Sequence, residues 1–184
     1  MKNTTIKNIA SVTSGLFLPV VPSGEVAYLQ VNDFSNPNAV AMASKTLATK
    51  RTETNLLHKG NILFACKGAT YLSVVYNSDI QAVASTAFFV LRLRDANICP
   101  DYLCWFLNQP SIQAYFKYSQ IGSNTPLIRK PIVEELEIPI VDMDIQIKIV
   151  EISKLAEQKR SLIQEISRKK QMILDQTLMN IIKR

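Results

Sequence analysis

The stretch DMDIQIKIVEISKLAEQKRSLIQEISRKKQMILDQTLMNIIKR, Asp142–Arg184, contains neither Gly nor Pro and carries its apolar residues at helical spacing. Ile145, Ile149, Ile152, Ala156, Ile163, Ile166 and Ile173 fall on a four-and-three heptad seam, interrupted at Lys159 and Lys170. Leu155, Leu162, Leu174, Leu178 and Ile181 widen that stripe. At about 1.5 Å of rise per residue the helix is roughly 60 Å long, more than the upstream chain can cover, so its seam needs a partner helix. Asp142 is suited to the N-cap, and Asp144 lies where the positive helix terminus favours a carboxylate.

Working outward, the 184 residues divide into a globular part, 1–141, and this dimerisation or spacer helix, 142–184. The net charge of +6 is shared between them: twelve Lys/Arg against nine Asp/Glu in the first part, nine against six in the second. A moderate positive balance suits an acidic partner such as nucleic acid. No 18-residue apolar run is present, and MKNTTIKNIA is too polar to open a signal peptide, so a soluble, cytoplasmic protein without a membrane partner is expected. Cys66, Cys99 and Cys104 form no CxxC pair and His58 is the single histidine, which is a poor basis for a metal site; all four read as structural residues.

The first part reads as strand-rich. Val26–Val31, Ile62–Ala65, Leu72–Tyr76 and Phe88–Leu93 are short β-branched or aromatic runs between polar or Gly-containing breaks. Pro100 opens a helix carrying Leu103, Trp105, Phe106 and Leu107, Pro110 stops or restarts it, and a second helix follows over Ser111–Tyr118. Gly122–Pro131 is a loop by composition, and Glu134–Val141 an extended approach to the long helix. The class is α+β, a strand-rich domain followed by one helix that pairs as a coiled coil.

Catalytic equipment is missing. The chain has no GxxxxGK[ST] and no GxGxxG, and Gly15, Gly24, Gly60, Gly68 and Gly122 never cluster into a cofactor loop. Ser123–Pro126 only superficially resembles a base-holding motif, Glu135-Leu136-Glu137 lacks the lysine of a metal-dependent nuclease, and one His gives no supported triad. Neither a cofactor nor a metal is expected. The chain reads as one that binds and organises.

Several stretches, taken in order, carry a resemblance. They are Tyr28–Asp33 (YLQVND), Leu57–Phe64 (LHKGNILF) with Lys67-Gly68, Pro100–Asn108 (PDYLCWFLN), Gly122-Ser123, and Leu136–Ile140 (LEIPI). Over roughly residues 28–166 the chain resembles the target recognition domain and helical spacer of type I restriction-modification specificity subunits, with Gln146 and Ile149 at positions usual for that spacer. Where that family usually carries two recognition domains with two helices, this chain has one of each and looks like a half subunit. Asn61 stands where Asp is more usual, and Asp142-Met143-Asp144 replaces a proline- and glutamate-rich approach.

The resemblance implies a non-catalytic reader of double-stranded DNA that positions a separate S-adenosylmethionine-dependent methyltransferase subunit and a restriction subunit. Phosphate contacts from Lys and Arg give register and salt-dependent affinity, while polar side chains read base edges. On that reading the DNA contacts are Lys45, Lys50, Arg51 and Asn55 in the polar stretch ASKTLATKRTETN, Lys67 and Tyr71 about the Gly68 turn, and Ser123, Asn124, Arg129 and Lys130. Tyr115, Phe116 and Tyr118 suit base stacking beside Lys117, but their helical segment favours core packing. The helix seam implies a homodimer. The alternative is a coiled-coil structural or regulatory protein whose head binds another protein, and a silent recombination cassette is a third reading.

Overall fold

The computed structural model describes residues 2–31, 33, 39–68, 70–122 and 126–182. In chain order the elements are β1 (Lys2–Thr5), α1 (Ile6–Ile9), β2 (Ala10–Ser14), β3 (Val26–Leu29), α2 (Ala39–Met42), β4 (Lys45–Thr46), α3 (Lys50–Glu53), β5 (Ile62–Ala65) and β6 (Ser73–Val75). They continue as β7 (Ala82–Ala84), β8 (Phe88–Leu93), α4 (Pro100–Leu107), α5 (Pro110–Ser119), α6 (Lys130–Glu134), β9 (Glu137–Ile140) and α7 (Met143–Ile182). The class is α+β, with one long C-terminal helix. Two compact units emerge, Met1–Gln146 and Ile147–Arg184.

In the first unit, β2, β8, β5 and β6 form an antiparallel sheet in that order, with Leu63 opposite Val90 and Phe64 opposite Phe89. The run ILFA is buried at all four positions of β5, as expected of a central strand that is covered on both faces. A second sheet has the order β4-β3-β7, in which β3 runs parallel to β7 with Ala27 opposite Ala82 and antiparallel to β4. The polar N-terminal KNTT becomes β1 by pairing with β9, Lys2 opposite Ile140, across nearly the whole length of this unit.

Aromatic rings fill the centre. Phe64 lies parallel to the rings of Tyr71 and Phe89 at centroid distances of 6.3 and 6.4 Å, and Phe116 meets it edge-on at 4.8 Å. Pro100 occupies the first turn of α4, which turns Tyr102, Leu103 and Leu107 inward, one helical face at four-residue spacing. Of the α5 aromatics, Phe116 is fully buried, whereas Tyr115 is 40% and Tyr118 93% exposed, so core packing describes Phe116 and not its neighbours.

Asp142 immediately precedes α7, and its carbonyl accepts from the amides of Ile145 and Gln146. Gln146 is fully buried. Its side-chain oxygen accepts from the Cys99 amide at 2.9 Å, and its nitrogen donates to the carbonyls of Asn97 and Val141, each at 2.8 Å. The first turn of the helix therefore belongs with the globular unit, which places the division later than a boundary at 141. In the second unit every described residue from Lys154 to Ile182 is exposed, among them Ala156, Ile163, Ile166 and Ile173, as is Ile152 before them; Ile145, at the helix start, is also exposed and Ile149 half-buried. No helix among the described residues is long and apolar enough to cross a membrane.

Candidate nucleic-acid interface

The short parallel pair β3–β7 organises the cations. Beyond its C-terminal end the turn at Ser85–Ala87 is gripped on three sides: the Ser85 amide donates to Leu29, the Leu16 amide to Ala84, and the Cys66 amide to Ala87. Lys67 follows Cys66, and its ammonium reaches the Thr86 hydroxyl at 3.5 Å. Lys67 also bridges Leu127, the Gly68 amide donates to Pro126 and the Ile128 amide to Cys66, so residues 126–128 lie against the same turn. Arg129, next in the chain, is exposed, and Lys130 opens α6 with an ion pair to Glu134 at 3.2 Å. Ser123 and Asn124 lie outside the described residues.

A second group of cations gathers at the other end of the pair. The Leu57 amide donates to Ala82, the first residue of β7, and the Ala48 amide to the carboxylate of Glu25, just before β3. The polar stretch expected to carry contacts holds β4 and then α3, started by a reciprocal cap: the Thr52 amide donates to the Thr49 hydroxyl at 3.2 Å and the Thr49 amide to the Thr52 hydroxyl at 2.7 Å. Buried Thr52 fixes that turn and leaves Lys50 and Arg51 in solvent. Asn55 is half-buried and its amide donates to the Arg51 carbonyl at 2.9 Å, so it finishes the helix. Lys45, on β4 opposite Ala27, is level with Ala82 and so lies at the end of the second group. Among the described residues Lys45, Lys50, Arg51 and Lys67 have no ion-pair partner.

The backbone anchors of the two groups are Ala82, at the start of β7, and Thr86, in the turn after it. Tyr71 does not join them. It is fully buried, its ring lies against Phe64 and Phe116, and its hydroxyl donates to Gln120 at 2.6 Å. Placing it at the surface would open the aromatic core, so the sequence expectation of a DNA contact there is corrected. Thr86, which holds Lys67, had no signature of its own in the sequence.

The thiol of Cys66 is pushed up to about 11 by burial, against a partial lowering by Lys67, and is a poor nucleophile at neutral pH. Arg92, on β8, is held below its usual range by desolvation while its guanidinium donates to the Thr13 hydroxyl and the Leu56 carbonyl. A cleft of about 510 Å³ near β1 and β9 is lined by Thr4, Asn8, Asp95, Asn97 and Asp142 among others, and its carboxylates oppose phosphate. No cluster of three or more His, Cys, Asp or Glu able to hold a metal occurs among the described residues.

The model of the type I restriction modification DNA specificity domain matches residues 5–169. No curated protein matches the chain. Among solved structures, the type I restriction-modification S subunit from M. genitalium is similar at 18% identity and a TM-score of 0.59, over 85% of this chain and 39% of that one. A structure described as the basis of complex assembly and conformational transition of the type I R-M system is similar at 15% identity and a TM-score of 0.65, over 88% and 39%. The HsdS subunit from Thermoanaerobacter tengcongensis is similar at 15% identity and a TM-score of 0.61, over 86% and 37%. At these identities the likeness is one of fold, and this chain spans less than two fifths of each of those structures. With a specificity-domain match across most of its length, this chain belongs to the type I restriction modification DNA specificity family.

Proposed function

We propose that this chain is the DNA-reading half of a type I specificity assembly: one recognition head and one spacer helix, used twice through self-association. The observation that carries this reading is the family match over residues 5–169, and the cations at both ends of the β3–β7 pair support it. Lys45, Lys50, Arg51, Lys67, Arg129 and Lys130 supply phosphate contacts, with Ser123, Asn124 and Asn55 as polar candidates for base edges. The chain selects the site and leaves methyl transfer and cleavage to separate subunits. With S-adenosylmethionine and DNA, the purified chain transfers no methyl group until a methyltransferase subunit is added.

Self-association is supported by the exposed seam, where Ile152, Ile163, Ile166 and Ile173 are each more than half open to solvent, an apolar stripe longer than monomers usually tolerate. Antiparallel pairing sets identical heads at opposite ends, so the preferred site is an interrupted palindrome. The test is selection of bound duplexes from a random pool by the chain with its methyltransferase partner. Deleting Glu157–Ile163 keeps the heptad phase, shortens the helix by roughly 10 Å, and shrinks the gap by up to about three base pairs with unchanged half-sites. An asymmetric or ungapped motif, or an unchanged gap in a folded, dimeric variant, overturns this architecture.

A further inference from the structure

The segment between β2 and β3 is anchored far more firmly than an ordinary connection. The amides of Gly15 and Leu16 donate to Phe88 and Ala84, and the Leu16 carbonyl accepts from the Tyr28 hydroxyl at 2.8 Å. Further along, the Pro19 carbonyl accepts from the Thr46 hydroxyl at 2.9 Å and the Val21 amide donates to Lys45 at 2.9 Å. Glycine is needed at both ends: a Cβ at Gly15 would lie 2.1 Å from the Ser85 oxygen, and one at Gly24 would lie 2.3 Å from the Thr46 oxygen. Between these anchors Leu16 is buried and Leu18 packs against the same cluster, yet Phe17 is 78% and Val20 54% exposed. A loose loop turns such side chains inward, because leaving water is favourable. This loop holds them out.

Its placement gives that exposure a direction. The first anchor is the Ser85–Ala87 turn beside Lys67, and the last is Lys45. Leu18 shares its cluster with Leu56, the segment that follows α3 with Lys50 and Arg51. The backbone that carries the apolar pair therefore runs from the turn beside Lys67 to Lys45, linking the two groups of cations. We propose that Phe17 and Val20 form a wedge that enters the duplex at a base step between two phosphate contacts, partly unstacking and bending the half-site. The inference rests on the DNA-reading function proposed above. Duplex DNA is the occupant because the surrounding cations have no ion-pair partner among the described residues, and phosphate is their complement. Apolar wedges of this kind pry base steps apart where the backbone is clamped on either side, and flexible pyrimidine–purine steps yield most readily.

The experiment uses the full chain assembled with its methyltransferase subunit and the duplex that the wild-type complex selects from a random pool, dye-labelled at both ends to report bending. Phe17→Ala lowers affinity by about tenfold and straightens the DNA, with the salt slope unchanged and Phe17→Trp retaining both properties. Val20→Ser, with thermal melting as the folding check, gives a smaller loss in the same direction. Wild-type affinity and bend in both variants overturn the wedge while leaving the DNA-reading function standing. Loss of assembly in Phe17→Ala before DNA is added also overturns it, in favour of a protein docking site. A wild-type complex with no site-selective binding overturns the underlying function, and the wedge with it.

Discussion

Ile6, Ile62 and Ile138, in the head, are fully buried, whereas Ile152, Ile163, Ile166 and Ile173, in α7, are between 53% and 67% exposed. The same side chain thus meets two fates within one chain. In the head the core residues find their partners within the polypeptide, as in the aromatic stack on Phe64. In α7 the periodic stripe has the pattern of a packed helix without, in its own unit, a surface to pack on. The head's stability is intramolecular, and under the self-association proposed above the helix's becomes a function of protein concentration.

The comparison is broken most directly by truncation in each region. Phe116→Ala costs about 3–5 kcal/mol in urea denaturation, since a buried ring leaves a cavity among Phe64 and Tyr71. Ile163→Ala in dilute chain costs less than about 0.5 kcal/mol, because little is buried there and alanine favours the helix. Equal costs at every concentration contradict the contrast. Replacing Ile152, Ile163 and Ile166 together with Asp is expected to abolish the proposed dimer, read by light scattering, because charges in a desolvated seam are costly. A monomer mass for the unaltered chain at tens of micromolar would be the contrary result.

Next in size is Gln146→Ala, expected to cost about 2–4 kcal/mol by stranding the Cys99 amide and two carbonyls, against no measurable change for exposed Gln158→Ala. A neutral Gln146→Ala means that water replaces the amide, and the first turn is not tied to the head as drawn. Alkaline stability follows in the same experiment. The folded Cys66 thiol stays protonated to about 11 while the unfolded one ionises near 9.0, so its contribution is fully present below pH 9 and is lost as pH climbs toward 11. The loss is about 2–3 kcal/mol, and Cys66→Ala flattens the profile. The smallest effect concerns salt. Removing Lys50 and Arg51 reduces the slope of log affinity against log salt by about 2, whereas removing Arg168 and Lys169 from α7 leaves it unchanged.

What could be read in the sequence tracks how local the deciding contacts are. Ile62–Ala65 was legible as a strand because it is a continuous apolar run buried throughout, Phe88–Leu93 because its apolar run is buried as far as Leu91, and Pro100 marked its helix through a fixed φ. β1 was not legible, since KNTT is polar and becomes a strand only through β9 at the far end of the head. β7, three residues of Ala and Val, was too short to separate from a loop, although it sets where the cations lie. Within the site, Lys50 and Arg51 were marked by their polar surroundings, but the threonine cap that exposes them was hidden in the same stretch. Tyr71 was drawn to the surface by its nearness to Gly68, and only the long-range stack with Phe64 and Phe116 places it inside. Phe17 and Val20 went unremarked in the sequence, because exposure enforced by backbone anchors has no compositional mark.

The buried amide of Gln146 also sets where a new head could be grafted onto an old helix. A junction at the visible change of composition, just before Asp142, separates the glutamine from Asn97 and Cys99, whose backbone groups it serves. A donor head would then meet a foreign first turn, and any mismatch there would leave unpaired polar groups inside the chimera. Cutting after Gln146 transfers lock and key together. A graft that keeps the contacts of Gln146 therefore takes the head plus one turn of helix.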